Sequence, residues 1–240
     1  MADKTKQVDI SGNLGHEKAP LVAIGQFTST SDLAHNFAQC RTLVQQATQA
    51  GAQALFLPEA SDYIAASAAE SISLAKPVDQ SEFVLALQDE ARRWKLPIHV
   101  GVHEPAADGH KLKNTVLWID ERGEIVHRYQ KIHLFDVDIE GGPVLKESEC
   151  VAPELFSCSV MLLFSIGSIG VLVPFAEAGA RSGTTTEKRV SYGHSMIIDP
   201  WGTVLADLGD AGDGPKIGTA VIDHNLLRKV RTEVPLRRRT

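Results

Sequence analysis

The feature that most constrains this chain is the change of hydrophobic period that repeats through its first hundred residues. Residues 21–27 form an apolar run of strand length. From Ser31 the period changes: Leu33, Phe37, Cys40, Val44 and Ala47 recur at helical spacing and mark one face of a helix. Ser31 is expected to cap its start and Gly51 to end it in a left-handed turn. Residues 54–57 read as a second buried strand, stopped by Pro58. A second helix is expected from a cap at Ser81 to about Lys95, with Phe83, Leu85, Leu87 and Ala91 facing inward, and residues 98–102 as a third strand. Hairpins follow, from residues 114–119 to 124–128 and from 195–199 to 203–207. A last strand over residues 219–222 precedes a short helix to about Val230. Strands alternating with helices, then hairpins, predict a mixed sheet covered by helices. The expected organisation is one α/β domain over residues 21–240 behind a disordered leader, residues 1–20.

Charge and cysteine content narrow the function classes. A net charge of −6 opposes a nucleic-acid partner, because phosphate binding needs a basic face. The basic cluster Arg228, Lys229, Arg231, Arg237, Arg238 and Arg239 reads as a solvated last helix and tail. Three cysteines (Cys40, Cys150 and Cys158) are too few for a disulfide framework or a zinc site, which points to a reducing, cytoplasmic compartment. The first twenty residues hold no apolar stretch, carry Asp3, Asp9 and Glu17, and lack arginine, unlike a secretory or mitochondrial signal. Residues 155–175 approach the length of a membrane span, but Gly167 and Gly170, with Ser165 and Ser168 beside them, favour two short buried strands around a turn. Neither His110, His127 and His133 nor the Asp/Gly-rich residues 207–213 have the spacing of a metal site.

Three positions attract chemical attention. Glu59 in Leu57–Pro58–Glu59–Ala60–Ser61 follows a buried strand stopped by proline, where ligand sites of open α/β sheets form. Lys131 leaves a hairpin strand in Tyr129–Gln130–Lys131–Ile132–His133–Leu134–Phe135–Asp136, where partial desolvation would make it a fixed positive charge for a developing oxyanion. Glu147 in Lys146–Glu147–Ser148 is a second carboxylate that would hold such a lysine in place. Standing alone, each has an ordinary reading: a surface acid, or a lysine stem lying over apolar surface.

Taken in order with Gly25–Gln26 and Ser191–Tyr192–Gly193–His194–Ser195, these blocks resemble the nitrilase superfamily of carbon–nitrogen hydrolases. Within it, Pro58–Glu59–Ala60–Ser61–Asp62–Tyr63–Ile64 and Glu187–Lys188–Arg189–Val190–Ser191–Tyr192–Gly193–His194–Ser195–Met196 look most like the amidases that hydrolyse deaminated glutathione. The resemblance implies an α-β-β-α sandwich and a Glu–Lys–Cys mechanism without cofactor or metal, acting on a small-molecule amide. By motif, Glu59 would be the general base, Lys131 the group that stabilises the tetrahedral intermediate, and Glu147 the auxiliary carboxylate.

The resemblance breaks where the nucleophile belongs. Ile169–Gly170–Val171–Leu172–Val173 is similar to the strand that leads to the family's cysteine, yet Pro174 stands at the expected position. About a dozen residues later the chain has reached Glu187–Lys188–Arg189. A βαβ unit takes roughly 30 residues, so the reading is an internal deletion near residues 174–186 and an incomplete sandwich. Cys158, between two serines, and Cys150, three residues after Glu147, are the remaining candidate nucleophiles, whereas Cys40 reads as core. The sequence leaves open a working amidase, an ω-amidase for another keto-acid amide, and a catalytically dead member with a binding or regulatory role. The family's regular oligomer is expected to be lost with the deleted segment.

Overall fold

The structure, a computed structural model, describes residues 19–140, 144–153, 170–172, 193–210, 212 and 214–234. Strand β1 (Leu21–Gln26) leads into helix α1 (Leu33–Gln49), and strand β2 (Leu55–Phe56) is followed by helices α2 (Ala68–Leu74) and α3 (Glu82–Trp94). Strands β3 (Ile98–Pro105), β4 (Leu112–Ile119) and β5 (Ile125–Gln130) run consecutively. Strands β6 (Asp136–Asp138) and β7 (Val144–Lys146) form a small ribbon ahead of a 3-10 turn, Glu147–Glu149. Short strands β8 (Gly170–Leu172), β9 (Met196–Ile198) and β10 (Val204–Asp207) precede β11 (Lys216–Val221) and helix α4 (His224–Glu233).

The helices begin and end for local reasons. Asp32, the residue immediately before the first helical one, accepts from the backbone amides of Ala34 and His35. It displaces Ser31 as the cap, because Ser31 lies one residue too early to reach them. Gly51 takes the left-handed turn with φ +77°. In α3 the expected cap Ser81 accepts from Val84, and Lys95 closes the helix in a left-handed conformation. Phe83, Val84, Leu87 and Ala91 are its buried apolar face, while Leu85 is exposed. At about 100° per residue, Leu85 points away from a stripe centred between Phe83 and Leu87. The sequence signalled neither α2, which buries none of its residues, nor the β6–β7 ribbon.

A six-stranded mixed sheet runs in the order β11-β1-β2-β3-β4-β5, with β1, β2 and β3 parallel and the other neighbours antiparallel. Alternation divides its side chains. Ala23, Leu55, Leu57, Ile98, Val100, Leu117 and Ile119 face α1 and α3 and pack on Cys40, Leu43, Val44, Phe83, Val84 and Leu87. Val22, Ile24 and Phe56 face the other way, onto Ile197 of a three-stranded sheet, β10-β9-β8. Among the described residues, helices, first sheet and second sheet therefore form successive layers, in keeping with the expected sandwich. Residues 154–169 and 173–192 lie outside the described residues, as do residues 1–18. The expected deletion at 174–186, Pro174, Cys158, Glu187–Lys188–Arg189 and Arg237–Arg238–Arg239 fall among the undescribed positions. Among the described residues no helix is long and apolar enough to cross a membrane.

Candidate active site

Glu59 is positioned by the way β2 ends. Leu57 still donates to His99 O in strand β3, but Pro58 cannot donate, and the chain leaves the ladder there. The carbonyl of Pro58 instead accepts from Gly101 N and Ser61 Oγ, and Ser61 N donates to Gly101 O. This turn lies directly on Gly101, where a Cβ would stand 2.5 Å from Glu59 Cα. The missing side chain of Gly101 is thus what admits the Glu59 backbone to the end of the sheet.

Lys131 is the first residue after β5, and its amide donates to Asn114 O of β4. Glu147 opens the 3-10 turn after β7, and the β6–β7 ribbon folds the chain back so that it returns to Lys131. Glu147 and Phe135 clasp the ribbon's base: Phe135 N donates to Glu147 Oε2 at 2.6 Å, and Glu147 N donates to Phe135 O at 3.1 Å.

The three residues singled out in the sequence meet. Lys131 Nζ lies 2.9 Å from Glu147 Oε2 and 3.4 Å from Glu59 Oε1. A fourth group, unannounced by the sequence, joins them. The carboxamide of Asn114, a buried residue, donates to Glu59 Oε1 and also, at 3.2 Å, to Glu147 Oε1. Lysine and amide together hold the two carboxylates apart and oriented. Burial raises the Glu59 carboxyl above the ordinary carboxylate range; Lys131 and Asn114 oppose that rise and Glu147 adds to it. A base with raised proton affinity beside a cation suits proton transfer coupled to carbonyl addition.

A second pair lies beside the first. Asp62, buried, accepts from His103 N at 2.7 Å and from the His103 ring nitrogen Nδ1 at 2.9 Å. Tyr63 stacks on the His103 ring, with centroids 4.6 Å apart. Burial alone would push His103 down, but Asp62, with Glu59 and Glu147 behind it, outweighs burial and holds the imidazole above the ordinary histidine range. His103 was hidden from the sequence because β3 runs three residues past the expected end at Val102. Asp62 stood inside the quoted Pro58–Ile64 motif without a partner to mark it.

The cysteines divide. Cys40 is fully buried on α1, as its helical position implied, and burial pushes its thiol far up. Cys150 is half-buried beside the site, but burial and then Glu147 and Glu149 raise its thiol as well, the opposite of what a nucleophile needs. Cys158 lies outside the described residues. His110, His127 and His133 form no cluster, and among the described residues no group of three His, Cys, Asp or Glu is arranged to hold a metal.

Comparison with known proteins adds an independent line. The carbon–nitrogen hydrolase family model matches residues 21–173 and 172–232. A probable hydrolase, nit2, of Schizosaccharomyces pombe is 35% identical over 267 aligned positions, which take in 91% of this chain and 97% of the relative. The human deaminated glutathione amidase is 32% identical, over 90% of this chain and 81% of that protein. Among solved structures, the C. elegans NitFhit protein superimposes with a TM-score of 0.71 at 25% identity, over 90% of this chain and 63% of that one. Saccharomyces cerevisiae Nit3, a member of the nitrilase superfamily, superimposes with a TM-score of 0.66 at 18% identity, over 91% of this chain and 96% of that one, a likeness of fold.

Proposed function

This chain belongs to the carbon–nitrogen hydrolase family, and from that premise we propose that it carries the acid–base half of an amidase site for small amides of the deaminated-glutathione type, without the nucleophile. The observation that carries the proposal is the Lys131 ammonium held by Glu59 and Glu147, with Asn114 bridging the carboxylates. In this reading, once a thiol is supplied, Glu59 takes its proton as it attacks, and Lys131 meets the charge that develops on the carbonyl oxygen. Glu147 keeps Lys131 aimed at that oxygen. Glu59 then returns the proton to the departing ammonia and activates the water that hydrolyses the thioester.

Two features of the comparisons support the missing nucleophile. The family match comes in two pieces that meet at residues 172–173, next to Pro174. The 267 positions aligned with the S. pombe relative take in 91% of 240 residues, about 218, so at about 49 positions the relative has a residue and this chain has none. That is ample for the βαβ unit whose absence the sequence suggests.

Ammonia release from deaminated glutathione tests both halves. The 240-residue chain is expected to release none above background. Replacing residues 174–186 with the corresponding segment of the S. pombe relative is expected to give turnover that Glu59→Gln abolishes. Turnover by the unaltered chain would refute the missing nucleophile. A folded graft without turnover would refute the acid–base assignment.

A further inference from the structure

Three carboxylates, those of Glu59, Glu147 and Asp62, gather at the ends of β2, β3 and β7, and one lysine stands among them. The register of the sheet places an imidazole there as well. His103 and Asn114 are directly opposed in the β3–β4 ladder. Ile98, Val100 and Val102 point to the helices, so His103 points to the other face of the sheet, as Asn114 does. Side chains opposed in this way stand about 5 Å apart at Cβ. Asn114 in turn grips both Glu59 and Glu147. The imidazole is held by one ring hydrogen bond, from Nδ1 to Asp62 Oδ1, which also accepts from Tyr63 N, and by the Tyr63 ring stacked on it, while the His103 backbone amide donates to Asp62 Oδ2.

We propose that His103, clamped by Asp62, is a positioning residue that supplies the second positive charge of the site and sets how tightly Glu59 holds its proton. The inference rests on the amidase reading for its catalytic meaning, although the coupling itself is a property of the folded chain. The groups facing His103 are Asp62 and Glu59 from the turn after β2, Tyr63 from the same segment, and Glu147 from the 3-10 turn, with Lys131 bonded to both glutamates. Three of these are anions, and together they hold the imidazole above its ordinary range against the opposing effect of burial. While His103 is charged, it favours the Glu59 carboxylate. When it loses its proton, Glu59 binds its own more tightly. The base is therefore strengthened as pH climbs through the histidine midpoint, and its readiness to release a proton declines.

The test is a pH titration of the 240-residue chain by carbon NMR, with the histidine rings and glutamate carboxyls labelled and His103 and Glu59 assigned by substitution. His103 is expected to titrate above about 6.5, the ordinary histidine value. The Glu59 carboxyl signal is expected to show a second step at the His103 midpoint. In His103→Gln that step should vanish and the Glu59 midpoint should rise, as removal of a nearby positive charge predicts. A His103 midpoint at or below 6.5 overturns the proposal. So does a Glu59 curve with no step at the His103 midpoint in the unaltered chain, a result that does not depend on the variant folding. An unmoved Glu59 midpoint in a folded His103→Gln chain would make the Asp62–His103 pair merely structural. None of these readouts requires turnover, so an inactive graft would sink the amidase reading and leave the coupling to stand or fall by itself.

Discussion

Glu59 and Lys131 sit side by side, yet removing them should move stability in opposite directions. Burial raises the Glu59 pKa in the folded chain above its unfolded value. Between those two values the folded chain binds more protons than the unfolded one. The contribution to stability is then fully present below the unfolded pKa, about 4.3, and is lost as pH rises through the folded one. Glu59→Gln, neutral throughout, is expected to melt higher than the parent at pH 7. The gain should close below about pH 4. Lys131→Met removes the cation and leaves two carboxylates sharing one amide. With side chains of Lys131 and Glu147 each 17% exposed, the cost at pH 7 should fall short of a fully buried broken pair, at about 1–3 kcal/mol. Acidification toward pH 4 should restore most of it. Thermal melts of both variants at the two pH values check these signs, and equal changes at both pH values would show that packing, not charge, governs the site.

The sequence made Glu59, Lys131 and Glu147 legible because each sits at a strand end inside a motif. Asn114 and His103 were hidden for a shared physical reason. Both lie within strands, and only the register of the β3–β4 ladder, which no local pattern encodes, brings them to Glu59.

Among the elements, the turn after β2 governs the site, and Gly101 governs the turn. Gly101→Ala would force a Cβ to within 2.5 Å of the Glu59 backbone, where no flexible side chain can yield. The expected result is a loss of about 1–3 kcal/mol, typical of overpacking, together with a displaced Glu59. The check is a lowered denaturation midpoint, accompanied by loss of the Glu59 response to His103 titration. Full stability in Gly101→Ala would mean the turn is not pinned against β3. Elements with a strong apolar period were readable from sequence to within a few residues, as α1, α3 and the β4–β5 hairpin show. Leu85 misled because hydrophobicity alone does not reveal the centre of a stripe, and α2 escaped because it has no buried face to produce a period.

For the whole molecule, the second sheet is where association is expected to begin. Trp201, Val204 and Leu205 in and beside β10 are each more than two-fifths exposed, and among the described residues β10 stands at the end of its sheet. An apolar strand so placed templates association. The chain is expected to elute ahead of a 26.0 kDa monomer and to melt broadly below about 60 °C, the upper part of the mesophile range. Val204→Lys, which puts a charge on that strand, should shift elution toward the monomer. Size-exclusion chromatography with light scattering at two concentrations decides this, and a clean dimer with a sharp melt above that temperature would show the strand to be covered.

The outermost pairing of the large sheet joins Leu21 to Val221, so β1 receives its β11 neighbour from the far end of the chain. A ribosome adding 5–20 residues each second needs roughly 10–40 s to make the intervening stretch. Throughout that interval β1, β2 and β3 can assemble with their helices, but one flank of β1 waits with its amides and carbonyls unmet. A transcript or stalled ribosome that stops before Lys216 would release a chain that already holds Glu59, Asn114, Lys131 and Glu147 and still cannot close the sheet that carries them.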